Sequence, residues 1–524
     1  MFSFLKKQRL AAKGMSCGKT RLAMPEHPFL EWLETSIAMR VIVILATAAL
    51  LAFYCVVLDG SDAPRHFLYA LMILSIAVIQ PVINGDSILR GNSRLTLFLG
   101  LILLQEGVAV FLRAQVDAGH LDVLHFPLLI PYALAPMTLS VLLGARTGLF
   151  ACLAGALWWT ILQPEGDPAP LVLALTGGIV SVLSTLKVRR RSSLLRAGFY
   201  SGLSVWGAAV LSGLIGPVVP DAPGMTDWWQ LGLESAAALG TGVLTAVLVS
   251  GSLPLLEQVF GITTGISWLE MADLNHPLLR RLSLEAPGTY HHSLAMANLA
   301  ESCAEKVGAN PALCRVGAYF HDIGKLVKPD YFTENIRAGA NPHDDLTPTM
   351  SALVILSHVK EGVDLAVRNK LNRRVIDMIQ QHHGTTLVEY FYQRACRQER
   401  DARAGGGLMN VRPEDIPKVS EESFRYPGPK PQSVEAVILG LADAAESASR
   451  SLERPTLQRL DDLVQGILRD RINDGQYNEA PVTLCQLHSI ADTLVSSLGS
   501  MLHTRIDYRK KEEEGAKPAE SVGG

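Results

Sequence analysis

The 524-residue sequence has only seven cysteines, with no CxxC pair and no regular spacing, which excludes a zinc ribbon and a disulfide scaffold. Cys17, Cys55, Cys152, Cys303, Cys314, Cys396 and Cys485 read as small apolar residues. A reducing compartment suits the C-terminal half. That half also lacks alternating strand segments, which excludes a sheet. The apolar first half has no Gly/Pro-broken pair of segments in matching positions and no charged pathway, which argues against a transporter. The net charge of −3 says little about partners, because opposite signs sit in different places.

Apolar residues make up 48% of the chain, and most of the excess lies before residue 254. Hydrophobic stretches at about 38–57, 66–84, 95–112, 124–144, 147–163, 170–186, 197–219 and 232–253 predict eight membrane spans. The basic stretch 1–37 ahead of them does not look like a cleaved signal peptide. Lys6, Lys7, Arg9, Lys13, Lys19 and Arg21 precede the first span, and Lys187, Arg189, Arg190, Arg191 and Arg196 separate the sixth from the seventh. Arg90, Arg94 and Arg146 lie in the other loops of the same side, which is therefore cytoplasmic. Eight crossings then return the chain to the cytoplasm. Glu106 in span three and Glu234 in span eight read as interhelical hydrogen-bonding groups before transport groups.

Residues 254–286 form a linker of helical period, broken by Gly261 and Gly265 and punctuated by Asn275-His276-Pro277. Helices are expected at about 290–307, 311–324, 347–359, 363–371, 373–383, 386–402, 433–450, 456–473 and 481–503. The fold class is all-α: a polytopic bundle over 38–253 and a helical domain over 287–505. Arg403–Pro417 reads as a mobile loop and 506–524 as a disordered tail.

The informative residues are His292, His321-Asp322, His358, His382-His383 and Asp443. His321-Asp322 follows the apolar stretch Ala312–Phe320, and Gly324 is expected to end that helix so that both side chains turn to one point. A carboxylate has two oxygens, so Asp322 can bridge two cations while His321 binds one. His382 and His383 lie about 100° apart on a helix, which suits a non-bridging ion at its edge. Asp443 sits on the Ala-rich helix Val434–Arg450, which can approach closely. Seven ligands exceed the four of a closed zinc site and argue for two open ions, with iron or manganese favoured by the donor types and zinc, cobalt or nickel compatible with them.

Two divalent ions about 3.5–4 Å apart acidify a shared water and neutralise phosphodiester oxygens, so the substrate class is a phosphate ester. Lys325 either binds a phosphate or leaving-group oxygen or pairs with a nearby carboxylate. His291 is not read as a ligand, and His276 as a turn residue. Tyr290, Tyr331, His343, Arg425 and Lys430 are the substrate-contact candidates; the Arg425–Lys430 stretch can equally be a rigid Pro-rich turn.

Gly288-Thr289-Tyr290-His291-His292-Ser293, His321-Asp322-Ile323-Gly324-Lys325, Asn341-Pro342-His343-Asp344, Gln381-His382-His383-Gly384-Thr385 and Phe424-Arg425-Tyr426-Pro427-Gly428-Pro429-Lys430 resemble the membrane-anchored HD-domain phosphodiesterases of the PgpH type. The resemblance implies hydrolysis of cyclic di-AMP to pApA at a di-iron or di-manganese centre on the inner face of a bacterial cell membrane. It implies His292, His321 and Asp443 at one metal, His358, His382 and His383 at the other, and Asp322 between them, with Asp322 and Lys325 catalytic. Partners would be the cyclic dinucleotide and the lipid bilayer, not a nucleic-acid polymer; a homodimer through the linker is left open. The Gly-Thr-Thr after His383 replaces the acidic residue and Gly-Tyr-Pro element of related cyclic di-GMP enzymes. Another signalling nucleotide, cyclic di-GMP or a linear dinucleotide, is the alternative substrate, and a nucleotide-binding receptor without catalysis the alternative role. The family commonly carries an extracellular domain after the first span, where this chain has the short loop Leu58–His66.

Overall fold

The computed structural model describes residues 28–59, 63–83, 91–121, 126–161, 168–186, 188, 190–216, 228–336, 341–405, 418–452 and 456–503. The basic stretch before residue 28, most of the expected 403–417 loop and the expected C-terminal tail lie outside them. The chain divides into two compact units, one within Pro25–Leu269 and one within Glu270–Gly524. Both are helical, and no strand occurs among the described residues.

The first unit comprises α1 (Pro28–Thr35), α2 (Ile37–Asp59), α3 (Ala63–Ile83), α4 (Asn92–Asp117), α5 (Phe126–Leu129), α6 (Leu134–Leu143), α7 (Ala145–Ile161), α8 (Ala169–Thr185), α9 (Ser192–Leu211) and α10 (Trp228–Phe260). These helices are apolar on nearly every face, and Val41, Ile42, Leu45, Phe53 and Val56 of α2 stand exposed. Large apolar side chains left outside a packed bundle suit lipid rather than water. The chain is a multi-pass membrane protein, and the described residues of the expected spans are mostly helical. Five stretches are long and apolar enough to cross by themselves: Ile37–Leu58, Asn92–Asp117, Phe126–Leu143, Ser192–Leu211 and Trp228–Phe260. A 17-residue helix such as α8 reaches about 26 Å, short of the roughly 30 Å hydrocarbon core, so helix length alone does not give the expected eight crossings.

The fourth expected span is two helices, α5 and α6, interrupted around Pro131, whose ring removes a backbone donor. The break leaves N–H groups of α6 without intrahelical partners. Gln105 of α4 takes one of them, its Oε1 accepting from Ala135 N at 3.0 Å. Gln105 thus makes the interhelical bond expected of Glu106, which lies buried beside it with Oε1 against Gly155 of α7. Glu234 accepts from Gln230 Nε2 of its own helix at 3.0 Å.

Helices α9 and α10 meet through glycine. A Cβ on Gly242 would lie 2.4 Å from Gly198 O and 2.6 Å from Gly202 Cα. Backbones this close are the small-residue packing of membrane helices. Helix α10 then runs past the expected end of span eight, through Pro254, to Phe260, and turns at Gly261 with φ 63°. Glu257 closes that turn by accepting from Thr264 N at 2.8 Å and Ser267 Oγ at 2.6 Å.

The second unit follows α11 (Gly265–Met271) and comprises α12 (Pro277–Glu285), α13 (Pro287–Val307), α14 (Pro311–Phe320), α15 (Pro348–Arg368), α16 (Arg373–Gln381), α17 (Glu389–Gly405), α18 (Val434–Ser449), α19 (Leu457–Asn473) and α20 (Leu484–His503). Short 3-10 turns occupy Ile323–Val327, Pro329–Tyr331 and Thr333–Asn335. Sequence chemistry sets the helix starts: Asn310, Thr347, Asn372, Ser433 and Thr456 each cap the next helix through a side-chain oxygen. Proline at the first turn adds to this in α13, α14 and α15.

Two expectations change here. The helices expected at 347–359 and 363–371 are one, α15, because Gly362 continues the helix. Helix α14 ends at Phe320 rather than 324. Gly324 is not a left-handed cap but a point of contact, since a Cβ there would lie 1.9 Å from His358 O and 2.5 Å from Gly362 N. Both glycines serve the same crossing, which brings the His321-Asp322 step onto α15.

Replacing Gly242 by Val should force α9 and α10 apart. We expect a loss of about 1–3 kcal/mol in the membrane unit, read as a lower melting temperature of the detergent-solubilised chain. An unchanged melt would contradict the close packing.

Candidate metal centre

Seven polar side chains meet inside the second unit, from five separate segments. His292 comes from α13, His321 and Asp322 from the end of α14, His358 from α15, His382 and His383 from the end of α16, and Asp443 from α18. All but His383 are buried, and His383 is 19% exposed at its side chain. Helix α18 approaches through Gly440, where a Cβ would lie 2.4 Å from His382 O, and Asp443 follows on the next turn of the same face.

The distances divide the set in two. His292 Nε2 is 3.1 Å from Asp443 Oδ1 and 4.0 Å from Asp322 Oδ2, and His321 Nε2 is 3.1 Å from Asp322 Oδ2 and 3.8 Å from Asp443 Oδ1. On the other side, His358 Nε2 and His382 Nε2 lie 3.4 and 3.8 Å from Asp322 Oδ1 and 3.4 Å from each other. His358, His382 and His383 form one cluster able to hold a metal ion, and His292, His321 and Asp322 form another. Asp322 therefore turns one oxygen to each cluster, which is the arrangement a bridging carboxylate needs.

The ring orientations fit metal ligation independently. His321, His358 and His382 each place Nδ1 within 2.6–2.8 Å of the carbonyl three residues earlier, at Ala318, Ile355 and Ile379. A carbonyl only accepts, so Nδ1 carries the proton and Nε2 offers its lone pair inward. His292 sets its Nδ1 against a carboxylate instead, 2.5 Å from Glu446 Oε2, while Arg450 holds Glu446 Oε1. His321 Nε2 and Asp322 Oδ1 are buried without a hydrogen-bond partner in suitable geometry among the described residues. Buried polar atoms in that condition are costly, and divalent cations between the two clusters would satisfy them.

Electrostatics agree with this. Burial alone would raise Asp322, but the neighbouring His321 and Lys325 hold its carboxyl well below the usual range. Burial likewise opposes ionisation of Asp443, and the hydrogen bond from His292 holds it well below. Burial and the adjacent imidazoles push His382 down to about 3 and His383 well below its ordinary value, so both are neutral donors at physiological pH. His292 is the exception: burial lowers it, yet the hydrogen bonds to Asp443 and Glu446 raise it to about 10. A cation taking Nε2 must displace that proton, so metal uptake at this cluster should strengthen as pH rises toward that value.

The other sequence candidates have varied surroundings. Lys325 Nζ lies 2.8 Å from Asp322 Oδ2 and 2.7 Å from Glu334 Oε1, which is the carboxylate pairing left open above. Tyr290 is half-buried against the cluster of Leu282, Ala286 and Leu326. His343 is buried and uses Nε2 to donate to Tyr331 O at 2.8 Å, with the Tyr331 and Phe391 ring centroids 5.6 and 5.0 Å from its own. The expected phosphate contacts Arg425 and Lys430 have other partners: Arg425 makes two 3.0 Å bonds to Asp474 and one to Thr385 O, and Lys430 donates to Gly475 O at 2.8 Å. Their charges brace the turn after α19.

Sequence reasoning does not single out Glu446, Glu334 or Phe332, and it takes Tyr426 only as part of the Arg425–Lys430 stretch. The Tyr426 ring stacks on His383 with centroids 4.2 Å apart, and Phe332 lies edge-on to His358 at 5.8 Å. Glu446 alone had a readable signal, standing one turn after Asp443 on the same helix face and four residues before Arg450.

A helical domain that closes around a His-Asp step shared by two histidine clusters is an HD domain, here carried with a multi-pass membrane unit. The family model "HD domain" matches residues 289–448, and "7TM receptor with intracellular HD hydrolase" matches residues 41–264. The chain belongs to this family of membrane-anchored HD proteins. It is 36% identical over 406 residues to "Cyclic-di-AMP phosphodiesterase PgpH" of Listeria monocytogenes, covering 76% of this chain and 52% of that protein. The same-named protein of Bacillus subtilis is 34% identical over 417 residues, covering 78% and 54% respectively. The chain spans about half the length of these relatives. The crystal structure of the Listeria monocytogenes PgpH HD domain in complex with cyclic di-AMP is 44% identical, covers 44% of this chain and 99% of that one, and superposes with a TM-score of 0.40.

Glu446→Ala should lower metal affinity about 10–100-fold by releasing the His292 ring, as loss of such outer partners commonly does. Metal titration followed by calorimetry reads this directly; an unchanged affinity would remove Glu446 from the centre.

Proposed function

We propose that the chain is a membrane-bound, metal-dependent phosphodiesterase that hydrolyses cyclic di-AMP to pApA and so lowers a second messenger. The observation that carries the reading is Asp322, with one oxygen toward His292 and His321 and the other toward His358 and His382. His292, His321 and Asp443 would hold one divalent ion and His358, His382 and His383 the other, with Asp322 bridging. The donor set of imidazole and carboxylate suits iron or manganese. When bound, such a pair supplies a water acidified enough to attack phosphorus and positive charge to offset the phosphate oxygens.

The chain's own side chains do the rest. The carbonyl-held imidazoles keep their lone pairs aimed at the centre. The buried ring of Tyr426 fixes His383 and excludes water beside it. Lys325 presents an ammonium at the edge of Asp322, where it can meet a phosphate oxygen. The names of the relatives support cyclic di-AMP over other dinucleotides, and a full ligand set favours catalysis over a receptor role. The basic loops support eight crossings with the HD domain in the cytoplasm of a bacterial cell.

The detergent-purified full chain, loaded anaerobically with iron or with manganese, is expected to convert cyclic di-AMP to pApA, and chelation to abolish it. Chromatography of the products checks this. Rapid turnover of cyclic di-GMP or a linear dinucleotide, with no pApA formed, would overturn the substrate assignment. Asp322→Ala should abolish turnover of every phosphodiester, since it removes the group between the two clusters.

A further inference from the structure

The segment that follows the His-Asp step returns to the centre at one side chain. Glu334 Oε1 receives Lys325 Nζ at 2.7 Å and the Thr289 hydroxyl at 2.9 Å. Asn335 closes the same knot from both ends, its Oδ1 accepting from Thr289 N at 3.2 Å and its Nδ2 donating to Thr289 Oγ1 at 2.9 Å. Gly288 makes room for it, because a Cβ there would lie 1.9 Å from Glu334 O. Thr289 is three residues before His292 on α13, so Glu334 is anchored to the helix that supplies the first ligand.

An ammonium has three N–H donors. Lys325 spends one on Asp322 and one on Glu334, and Phe332 covers a further side with its ring centroid 5.0 Å from Nζ. One N–H of the ammonium is thus left unclaimed by either carboxylate. Without Glu334 the ammonium would face Asp322 alone, free to rotate and to be drawn onto the bridging oxygens that the cations require.

We propose that Glu334 is a positioning residue for phosphodiester hydrolysis, holding Lys325 at the flank of Asp322 so that its third N–H points to a substrate oxygen. The proposal rests on the phosphodiesterase reading but not on which dinucleotide is cleaved. Glu334 touches neither substrate nor metal; it acts through Lys325.

The test is a double-mutant cycle in the metal-loaded full chain, assayed on bis(p-nitrophenyl) phosphate so that the outcome does not depend on cyclic di-AMP being the substrate. Glu334→Gln, which keeps the shape and removes the charge, should lower kcat by ~10–100-fold with KM changed less than ~3-fold and metal content retained. In a Lys325→Met background the same change should have no further effect beyond about 2-fold, the non-additivity of residues acting as a unit. If Glu334→Gln does not give a cooperative melt, Thr289→Val replaces it, removing only the hydroxyl that anchors Glu334, and should show the same non-additivity with a smaller single loss. Full activity of Glu334→Gln, or losses that multiply in the double variant, would overturn the proposal. A chain that cleaves the test ester with this cycle but leaves cyclic di-AMP intact would reject the substrate assignment and leave Glu334 in place.

Discussion

The buried carboxylate of Asp322 is the constraint to which the second unit is fitted. An ionised group with an oxygen lacking a partner is tolerated in a packed interior only where compensating charge surrounds it, and here imidazoles face it on two sides and an ammonium on a third. Helices α13, α14, α15, α16 and α18 all end, start or cross at this group. Their apolar faces supply the packing energy, but their registers are set by delivering seven side chains to the same small volume. Backbone contacts at Gly324 and Gly440 bring the segments closer than any side chain would allow.

The membrane unit obeys the opposite rule. Its polar side chains are few, and some serve breaks in the helices: Gln105 takes a backbone donor where Pro131 interrupts a helix, and Glu257 closes the turn after α10. In hydrocarbon an unpaired backbone group has no water to turn to, so a broken helix needs a side chain at the break. Glycines at 198, 202 and 242 then let two helices lie almost backbone to backbone.

Much of this was legible in the sequence because the signals were local. Apolar runs marked the membrane helices, cap residues and prolines were on hand at the helix starts, and the histidines and aspartates of the second unit stood out through their order and their adjacent pairs. What escaped notice depended on the third dimension. Pro131 splits a continuous apolar run without changing its hydropathy. Gly362 looks like a helix breaker in the sequence and is a crossing point in the fold. Arg425 and Lys430 had the charge for a phosphate, and only the folded chain shows Asp474 and Gly475 claiming them. Glu334 lies 45 residues from the hydroxyl it meets, so no periodicity connects them.

The three carbonyl bonds to His321, His358 and His382 each close within a single turn of the histidine's own helix. The choice of nitrogen is therefore written into each segment separately and does not wait for the tertiary assembly. If the domain breathes and the segments part, these three imidazoles still present the correct atom, and on closing again they have no tautomer to be sorted first.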